Sequence, residues 1–482
     1  MPGSRVLVAS NRGPVTFVPE GDDLVARRGA GGLVSALSSA LQATGGLWVS
    51  SAMSSGDRER AARSADGRVE VITDDAKFLV RLLTFDEETY DLAYNQVSNR
   101  LLWFLHHHLW DVPRAPTFDA ETRRAWEGYR RFNRAFAAAL AEETRGDRAD
   151  VLVQDYHLCL VPQELRELAP ATTIGHFHHS PFAGPDELRL LPEPMWRELL
   201  EGLLGADLLG FHTERWARNF LECCRLLDGA RVGRRTIRWQ DRTVRVGVFP
   251  ISIDSDALRE RARLPEVEEK RRSLLAWQGD RKVLLRVDRT DLSKNIVRGF
   301  QAYGELLRHH PEWRSEVVFL ALLNPSRQGV PEYQAYLDEI LEAARAVSRD
   351  FADGDWQPLE LRIGDDWDEV VAAYGIYDVL LVNPLFDGMN LVAKEGPLLN
   401  EKDGVLLLSR NAGAFAELED FALPVDPLDV AGTAEALNAA LRMGAEDRAR
   451  RAEGLRRVAE SRTPARWAAS QLRRLGRVSP RD

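Results

Sequence analysis

The chain is short of the features that mark exported, membrane-spanning or nucleic-acid-binding proteins. Its 482 residues hold three cysteines, Cys159, Cys223 and Cys224. So few thiols cannot build a disulfide framework, and the adjacent pair could bridge only with strain, so a reducing compartment is expected and the cysteines read as small core hydrophobes. No apolar run reaches the roughly 18 residues needed to span a bilayer, because Arg, Asp or Gly interrupts the richest ones. No charged n-region, long apolar stretch or small-residue cleavage site precedes Val6–Ala9, so the N-terminus reads as a strand rather than a leader. Cations are in deficit, with 64 Lys and Arg against 74 Asp and Glu and a net charge of -10. That argues against nucleic acid or an anionic membrane as partner and leaves any basic patch local. Repeats and low-complexity segments are missing too. A cytoplasmic protein is expected.

What the chain does have is length and alternation. A single core stops growing near roughly 250–300 residues, so two domains are expected. Short apolar runs recur at Val6–Ala9, Leu47–Ser50, Val151–Gln154, Thr173–Phe177, Leu208–Phe211, Val283–Val287, Val317–Leu323, Val379–Val382 and Val405–Ser409. Helix-period segments such as Arg123–Thr144 and Asn295–Arg308 lie between them, and strands alternating with helices imply βαβ units and parallel sheets, an α/β chain. Arg231–Ile253 reads as a β-ribbon followed by a strand ending at Phe249-Pro250, and Arg259–Gln278 as one charged helix, which places a boundary near residue 250. The halves are therefore taken as 1–250 and 251–482, the second closing on an amphipathic charged tail, Ala445–Arg474.

Ligands of open α/β sheets bind beyond the carboxyl ends of the strands, and five such ends carry unusual polar clusters. The first is Ser10-Asn11-Arg12-Gly13-Pro14, with Gly31-Gly32 downstream at the start of the helical pattern Leu33–Leu41, where free backbone N–H groups suit a phosphate. The second is Gln154-Asp155-Tyr156-His157. The third is His176-Phe177-His178-His179-Ser180-Pro181. Alternation puts His176 and His178 on one face and His179 on the other, so the three imidazoles cannot converge on one ion, and His106-His107-His108 fan apart by about 100° per residue on a helix. No metal site is expected. His179, at the strand end, is kept as a substrate contact.

The fourth cluster, Arg286-Val287-Asp288-Arg289-Thr290-Asp291-Leu292-Ser293-Lys294-Asn295, delivers Arg289 and Lys294 to one loop, where two cations can receive the charge of a departing diphosphate. The fifth, Asn383 to Gly396, runs a strand into a turn holding Asp387 and Gly388 and then starts a helix with Asn390, Leu391 and Val392 at its head and Glu395 a turn inside. Such a start offers backbone donors to a sugar diphosphate, and the carboxylate can accept from ribose hydroxyls.

In this order and spacing the clusters, together with Tyr94-Asn95-Gln96 through Trp103, resemble the trehalose-6-phosphate synthase family of retaining glycosyltransferases, over nearly the whole chain from Asn11-Arg12 to Ala412-Gly413-Ala414. The resemblance implies two Rossmann-like domains facing across a cleft, the GT-B architecture, the first holding the acceptor and the second the sugar nucleotide. It implies glucose transfer from a nucleotide-glucose, UDP- or GDP-linked, to glucose-6-phosphate, with no cofactor and no catalytic metal. Arg12, Tyr94, Trp103, Asp155 and Arg327 are then the acceptor contacts. Gly31, Gly32, Asp387, Asn390, Leu391, Val392 and Glu395 are the donor contacts, and Arg289, Lys294, His179 and Asp155 sit at the reacting centre. The chain departs from the family pattern at Asn295, where glycine is usual, at Thr290-Asp291-Leu292, at Ser180 and Ala183, and at Phe386, all bordering the donor site. Glucosylglycerol-phosphate synthases and pseudo-glycosyltransferases that join cyclitols are the alternatives within the family, and a non-catalytic sensor of sugar phosphate is the alternative outside catalysis. The cations and carboxylates that a sensor would lose are all retained. No phosphatase motif follows, and a homo-oligomer stays open.

Overall fold

A computed structural model describes residues 5–21, 23–28, 34, 37, 41, 45–64, 66–72, 77–144 and 149–476. The chain forms two compact units, Met1–Ile251 with Pro464–Asp482, and Ser252–Thr463. Gly31 and Gly32, and most of the helical pattern Leu33–Leu41, lie outside the described residues.

The first unit is built on seven parallel strands: β1 (Arg5–Ser10), β2 (Leu47–Ser51), β3 (Lys77–Leu83), β4 (Ala149–Gln154), β5 (Thr173–His178), β6 (Leu208–Phe211) and β7 (Arg242–Val248). Their spatial order is β7-β6-β5-β4-β1-β2-β3, and antiparallel strands extend both edges, Arg68–Ile72 beside β3 and the ribbon Thr236–Trp239/Arg231–Val232 beside β7. Strands β2 and β6 are buried at every position, as a parallel sheet covered on both faces requires.

The second unit carries β8 (Lys282–Arg289), β9 (Val317–Asn324), β10 (Leu359–Ile363), β11 (Val379–Val382), β12 (Val405–Ser409) and β13 (Leu423–Val425). They pair all in parallel in the order β10-β9-β8-β11-β12-β13. The order runs third, second, first, fourth, fifth, sixth along the sheet, the Rossmann arrangement, and it reverses direction between β8 and β11. The first unit repeats the logic, with its reversal between β1 and β4. Both units are thus Rossmann-like, and each places a crevice at the carboxyl ends of two defined strands.

Two helical expectations need correction. Arg259–Gln278 is two helices, Ser255–Ala262 and Pro265–Gln278, because Pro265 has no N–H to donate and settles at the first helical position instead. The tail likewise breaks before Pro464 into Ala445–Glu460 and Pro464–Leu475. Its last helix does not belong to the second half as expected. It packs on the first unit, where Trp467 is buried and its indole N–H donates to the Phe249 carbonyl at 3.0 Å. Among the described residues, no helix is long and apolar enough to cross a membrane.

Candidate active site

In the first unit, β1 ends in a locked polar corner. Ser10 Oγ accepts from the Trp48 indole at 2.8 Å and donates to the Arg12 carbonyl at 2.6 Å, while Asn11 accepts from Ser51 Oγ at 2.9 Å. These buried bonds fix the backbone from which the exposed Arg12 projects. Across the switch point, β4 runs into Asp155, whose backbone sits at φ 70°, a left-handed conformation costly for a residue with a Cβ. The bend is held by the Asp155 amide donating to the Phe177 carbonyl at 2.7 Å and by the His179 amide donating to Asp155 Oδ1 at 3.0 Å. One carboxylate oxygen thus ties the end of β4 to the end of β5.

His179 lies beside Gln154, with Nε2 2.9 Å from Oε1, and packs against Phe177, His212 and Trp467 at ring separations of 4.6, 5.3 and 5.7 Å. Burial pushes its imidazole down to about 3, so the ring is neutral at physiological pH and serves as a hydrogen-bonding group rather than a cation. Trp467 was not legible as part of this site. It arrives from the C-terminal helix, and the only sequence signal was one large aromatic in a charged tail.

The aromatic contacts come from an unusual element. Asp91–Leu102 is wound as a π-helix, in which Ser98 Oγ donates five residues back to the Ala93 carbonyl at 2.8 Å. Such windings are rare and concentrate at functional sites. Here it presents Tyr94 to His157 (5.8 Å, stacked), and Trp103 just beyond its end meets Tyr156 (5.6 Å), so both reach the loop after β4. The structure therefore gathers Tyr94, Trp103, Asp155 and His179 about one segment, residues 154–159.

In the second unit the site is ionic. Lys294 Nζ donates to Asp387 Oδ2 at 2.6 Å, joining the loop after β8 to the turn after β11, and Asn390 Nδ2 donates to the same oxygen at 3.1 Å. Asn390 also accepts from the Ala393 amide at 3.3 Å, leaving Leu391 and Val392 at the helix start, where amides lack intrahelical acceptors. A second loop braces the turn: the Gly413 amide donates to the Asp387 carbonyl at 3.0 Å and the Ala414 amide to that of Met389 at 2.7 Å. Glu395 accepts from the Tyr374 hydroxyl at 3.0 Å, and burial raises its carboxyl to about 7. Beneath the loop, Arg286 is fully buried and donates to Asp288 at 3.0 Å and to the Lys294 carbonyl.

Arg289 and Lys294 differ in freedom. The Arg289 side chain is 45% exposed and stands 3.8 Å from Asp291, whereas that of Lys294 is 13% exposed. Arg327, expected at an acceptor phosphate, donates to Asp291 at 2.9 Å and to the Tyr333 hydroxyl, so it also braces the β8 loop. Asn295, the departure from glycine, sits at φ 59° and ψ 39°. Asparagine tolerates that left-handed geometry, and here its side chain also donates to the carbonyls of Asn383 and Pro427 at 3.1 and 2.6 Å. A cavity of about 420 Å³ opens beside the charged groups, lined by Asp288, Arg289, Lys294, Trp367, Glu369 and Val392 among others. Trp367 and Glu369 come from the helix after β10 and carried no motif by which the sequence could have marked them.

The sequence profile of Glycosyltransferase family 20 matches residues 4–477. The chain is 38% identical over 99% of its length to a trehalose-6-phosphate synthase of Mycolicibacterium paratuberculosis, covering 96% of that protein. It is 36% identical over 96% of its length to a bifunctional trehalose-6-phosphate synthase/phosphatase of Thermoproteus tenax, of which it spans 62%. Among solved structures, it matches an E. coli trehalose-6-phosphate structure bound with UDP-2-fluoro glucose, at TM-score 0.87 and 31% identity over 99% of this chain and 100% of that one. It also matches an alpha,alpha-trehalose-phosphate synthase (UDP-forming) from Burkholderia xenovorans in complex with glucose-6-phosphate, at TM-score 0.84 and 32% identity over 98% and 100%. With matches of this extent, and with both switch points furnished as described, the chain belongs to glycosyltransferase family 20, the trehalose-6-phosphate synthase family.

Proposed function

We propose that the chain transfers glucose from UDP-glucose to glucose-6-phosphate with retention at the anomeric carbon, giving α,α-trehalose-6-phosphate and UDP. The observation that carries the reading is the Lys294–Asp387–Asn390 cluster with Arg289 beside it, at the β8/β11 switch point of a Rossmann-ordered sheet. Uridine as the base is supported by the UDP-forming relatives.

In this reading the second unit binds the donor. The diphosphate lies along the helix start at Leu391–Val392, and Arg289 and Lys294 meet its oxygens. Asp387 holds the ammonium of Lys294 in place before the ligand arrives, so little reorganisation is needed as the glycosidic bond breaks and charge builds on the leaving oxygen. Glu395 accepts from ribose hydroxyls. The first unit binds glucose-6-phosphate, with Arg12 on the phosphate, Tyr94 and Trp103 against the sugar, and Asp155 and neutral His179 hydrogen-bonding to hydroxyls. No side chain takes the part of a nucleophile. The leaving phosphate itself accepts the proton of the attacking hydroxyl on the face it departs from, which retains configuration.

The test is to incubate pure protein with a panel of nucleotide sugars and phosphorylated acceptors, identify products by mass spectrometry and read the anomeric linkage by NMR. Trehalose-6-phosphate from UDP-glucose is expected. A product formed only with glycerol-3-phosphate or a cyclitol phosphate overturns the acceptor assignment.

A further inference from the structure

One cluster in the first unit takes no part in the reading above. Cys159, His176 and His178 offer a sulfur and two ring nitrogens that lie within 4.8 Å of one another, and all three residues are buried. The two histidines share a face of β5, as strand alternation requires, and Cys159 is folded onto that face by the 3₁₀ turn Tyr156–Leu158 after β4. The two ring nitrogens of His176 meet no hydrogen-bond partner although the residue is only 2% exposed, and Nδ1 of His178 meets none either. Buried polar groups are almost always satisfied, so three unpartnered imidazole nitrogens facing a thiol call for a ligand.

We propose that Cys159, His176 and His178 form a structural zinc site. Soft thiolate with neutral imidazoles is a donor set that zinc prefers. Both rings turn unpartnered nitrogens into the cluster, so binding breaks no hydrogen bond at those atoms. Tetrahedral zinc with Zn–S of about 2.3 Å and Zn–N of about 2.0–2.1 Å places its ligand atoms about 3.3–3.6 Å apart, so the cluster closes by about 1 Å on binding. Ser180 Oγ lies 2.9 Å from Nε2 of His178 and holds that ring with Nδ1 turned to the ion, an outer contact of the kind zinc histidines use. Binding exchanges the contact of the Cys159 thiol with the Tyr156 carbonyl, 3.4 Å away, for a bond to the metal.

His106, edge-on to His178 at 4.8 Å, is not a ligand. Its Nδ1 accepts from the Ala183 amide at 3.1 Å, so in the neutral ring the other nitrogen carries the proton. The fourth position falls to a small ligand such as water. The ion would staple the segment that carries Asp155 to the strand that ends in His179, beneath the acceptor side of the site.

Two preparations of full-length protein test this: one expressed in zinc-supplemented medium, one unfolded with chelator and refolded with one equivalent of Zn²⁺ or Co²⁺. About one zinc per chain should survive dialysis against a weak chelator. The cobalt form should show a thiolate-to-metal charge-transfer band and the visible bands of tetrahedral coordination. Cys159→Ser and His176→Asn, checked for folding by circular dichroism, should lose more than about 10²-fold in zinc affinity, since outer contacts alone are worth 10–100-fold. Cys223→Ser removes an equally buried thiol, whose sulfur meets the Ala183 carbonyl at 3.4 Å, and should leave zinc binding unchanged. Folded wild type without zinc in both preparations, zinc retained by Cys159→Ser, or a cobalt spectrum without the thiolate band overturns the site. The wild-type measurements decide it even where a variant does not fold.

Discussion

The two sheets reverse strand order in the same way, yet their switch points are furnished differently. Apart from the exposed Arg12, the first unit offers mainly neutral groups: His179 packed among aromatics, Tyr94 and Trp103 brought in by a π-helix, and one carboxylate, Asp155, spent partly on holding its own loop. The second offers paired charges: Lys294 with Asp387, Arg286 with Asp288, Arg327 with Asp291, and Lys394 with Glu417. A sugar is recognised by directional hydrogen bonds and flat apolar surfaces, which neutral groups supply cheaply. A diphosphate needs cations, and cations near a sheet must be partnered by carboxylates or lose more to desolvation than they gain. The same scaffold therefore carries two differently furnished switch points, one of paired charges and one of mainly neutral groups with a single exposed arginine.

The sharpest way to break this comparison is to remove a charge that has no solvent to fall back on. Arg286→Ala leaves Asp288 buried and unpaired, and should cost about 3–5 kcal/mol in urea unfolding of the second unit. A loss under 1 kcal/mol would mean the ionic floor is dispensable. Next in size, Arg289→Ala should lower kcat by about 10²–10³ with a smaller effect on donor KM, because its contact grows as the leaving group gains charge. Its side chain is nearly half exposed, so stability should move little.

The matching cut in the first unit should read differently. Asp155→Asn should lower kcat/KM for glucose-6-phosphate by about 10–100-fold while the donor KM stays within about twofold, as expected when one charged hydrogen-bonding group is lost. A rise in donor KM instead would place Asp155 on the wrong substrate.

Two smaller effects sharpen the picture of the second unit. Asn295→Gly and Asn295→Ala lose the same side-chain bonds, but only alanine pays for the left-handed backbone, so the pair should differ by about 1 kcal/mol in unfolding free energy. The last effect is a pH dependence. The Glu395 carboxyl titrates at about 7 in the fold against an ordinary 4.5, so between these values the native state holds a proton that the unfolded chain has released. Its contribution is therefore lost as pH rises through that window, and Glu395→Gln should flatten this part of the stability profile in thermal melts. An unchanged slope would show that the carboxylate is solvated.

Much of this was legible before any coordinates. The strands Leu208–Phe211, Val379–Val382 and Val405–Ser409 fall where their apolar runs lie, since four or five consecutive buried residues between turn formers have few other ways to fold. The loop carrying Arg289 and Lys294 and the turn carrying Asp387 were legible for the same local reason: chain direction alone puts them at strand ends. Proline punctuation was under-read at Pro265 and Pro464, where one helix became two.

The sequence by itself thus determined the alternation of strands and helices, the charged loops at the strand ends and the separation of His176 and His178 from His179, because each follows from backbone periodicity within a few residues. Tertiary structure alone decided what meets across distance. It paired Lys294 with Asp387 across 93 residues. It bent the β4 loop at Asp155 so that Cys159 faces two strand histidines. It also carried the C-terminal helix back to the first unit, where Trp467 covers His179. Those outcomes depend on which buried surfaces fit and which charges find partners, and no pattern along the chain encodes that.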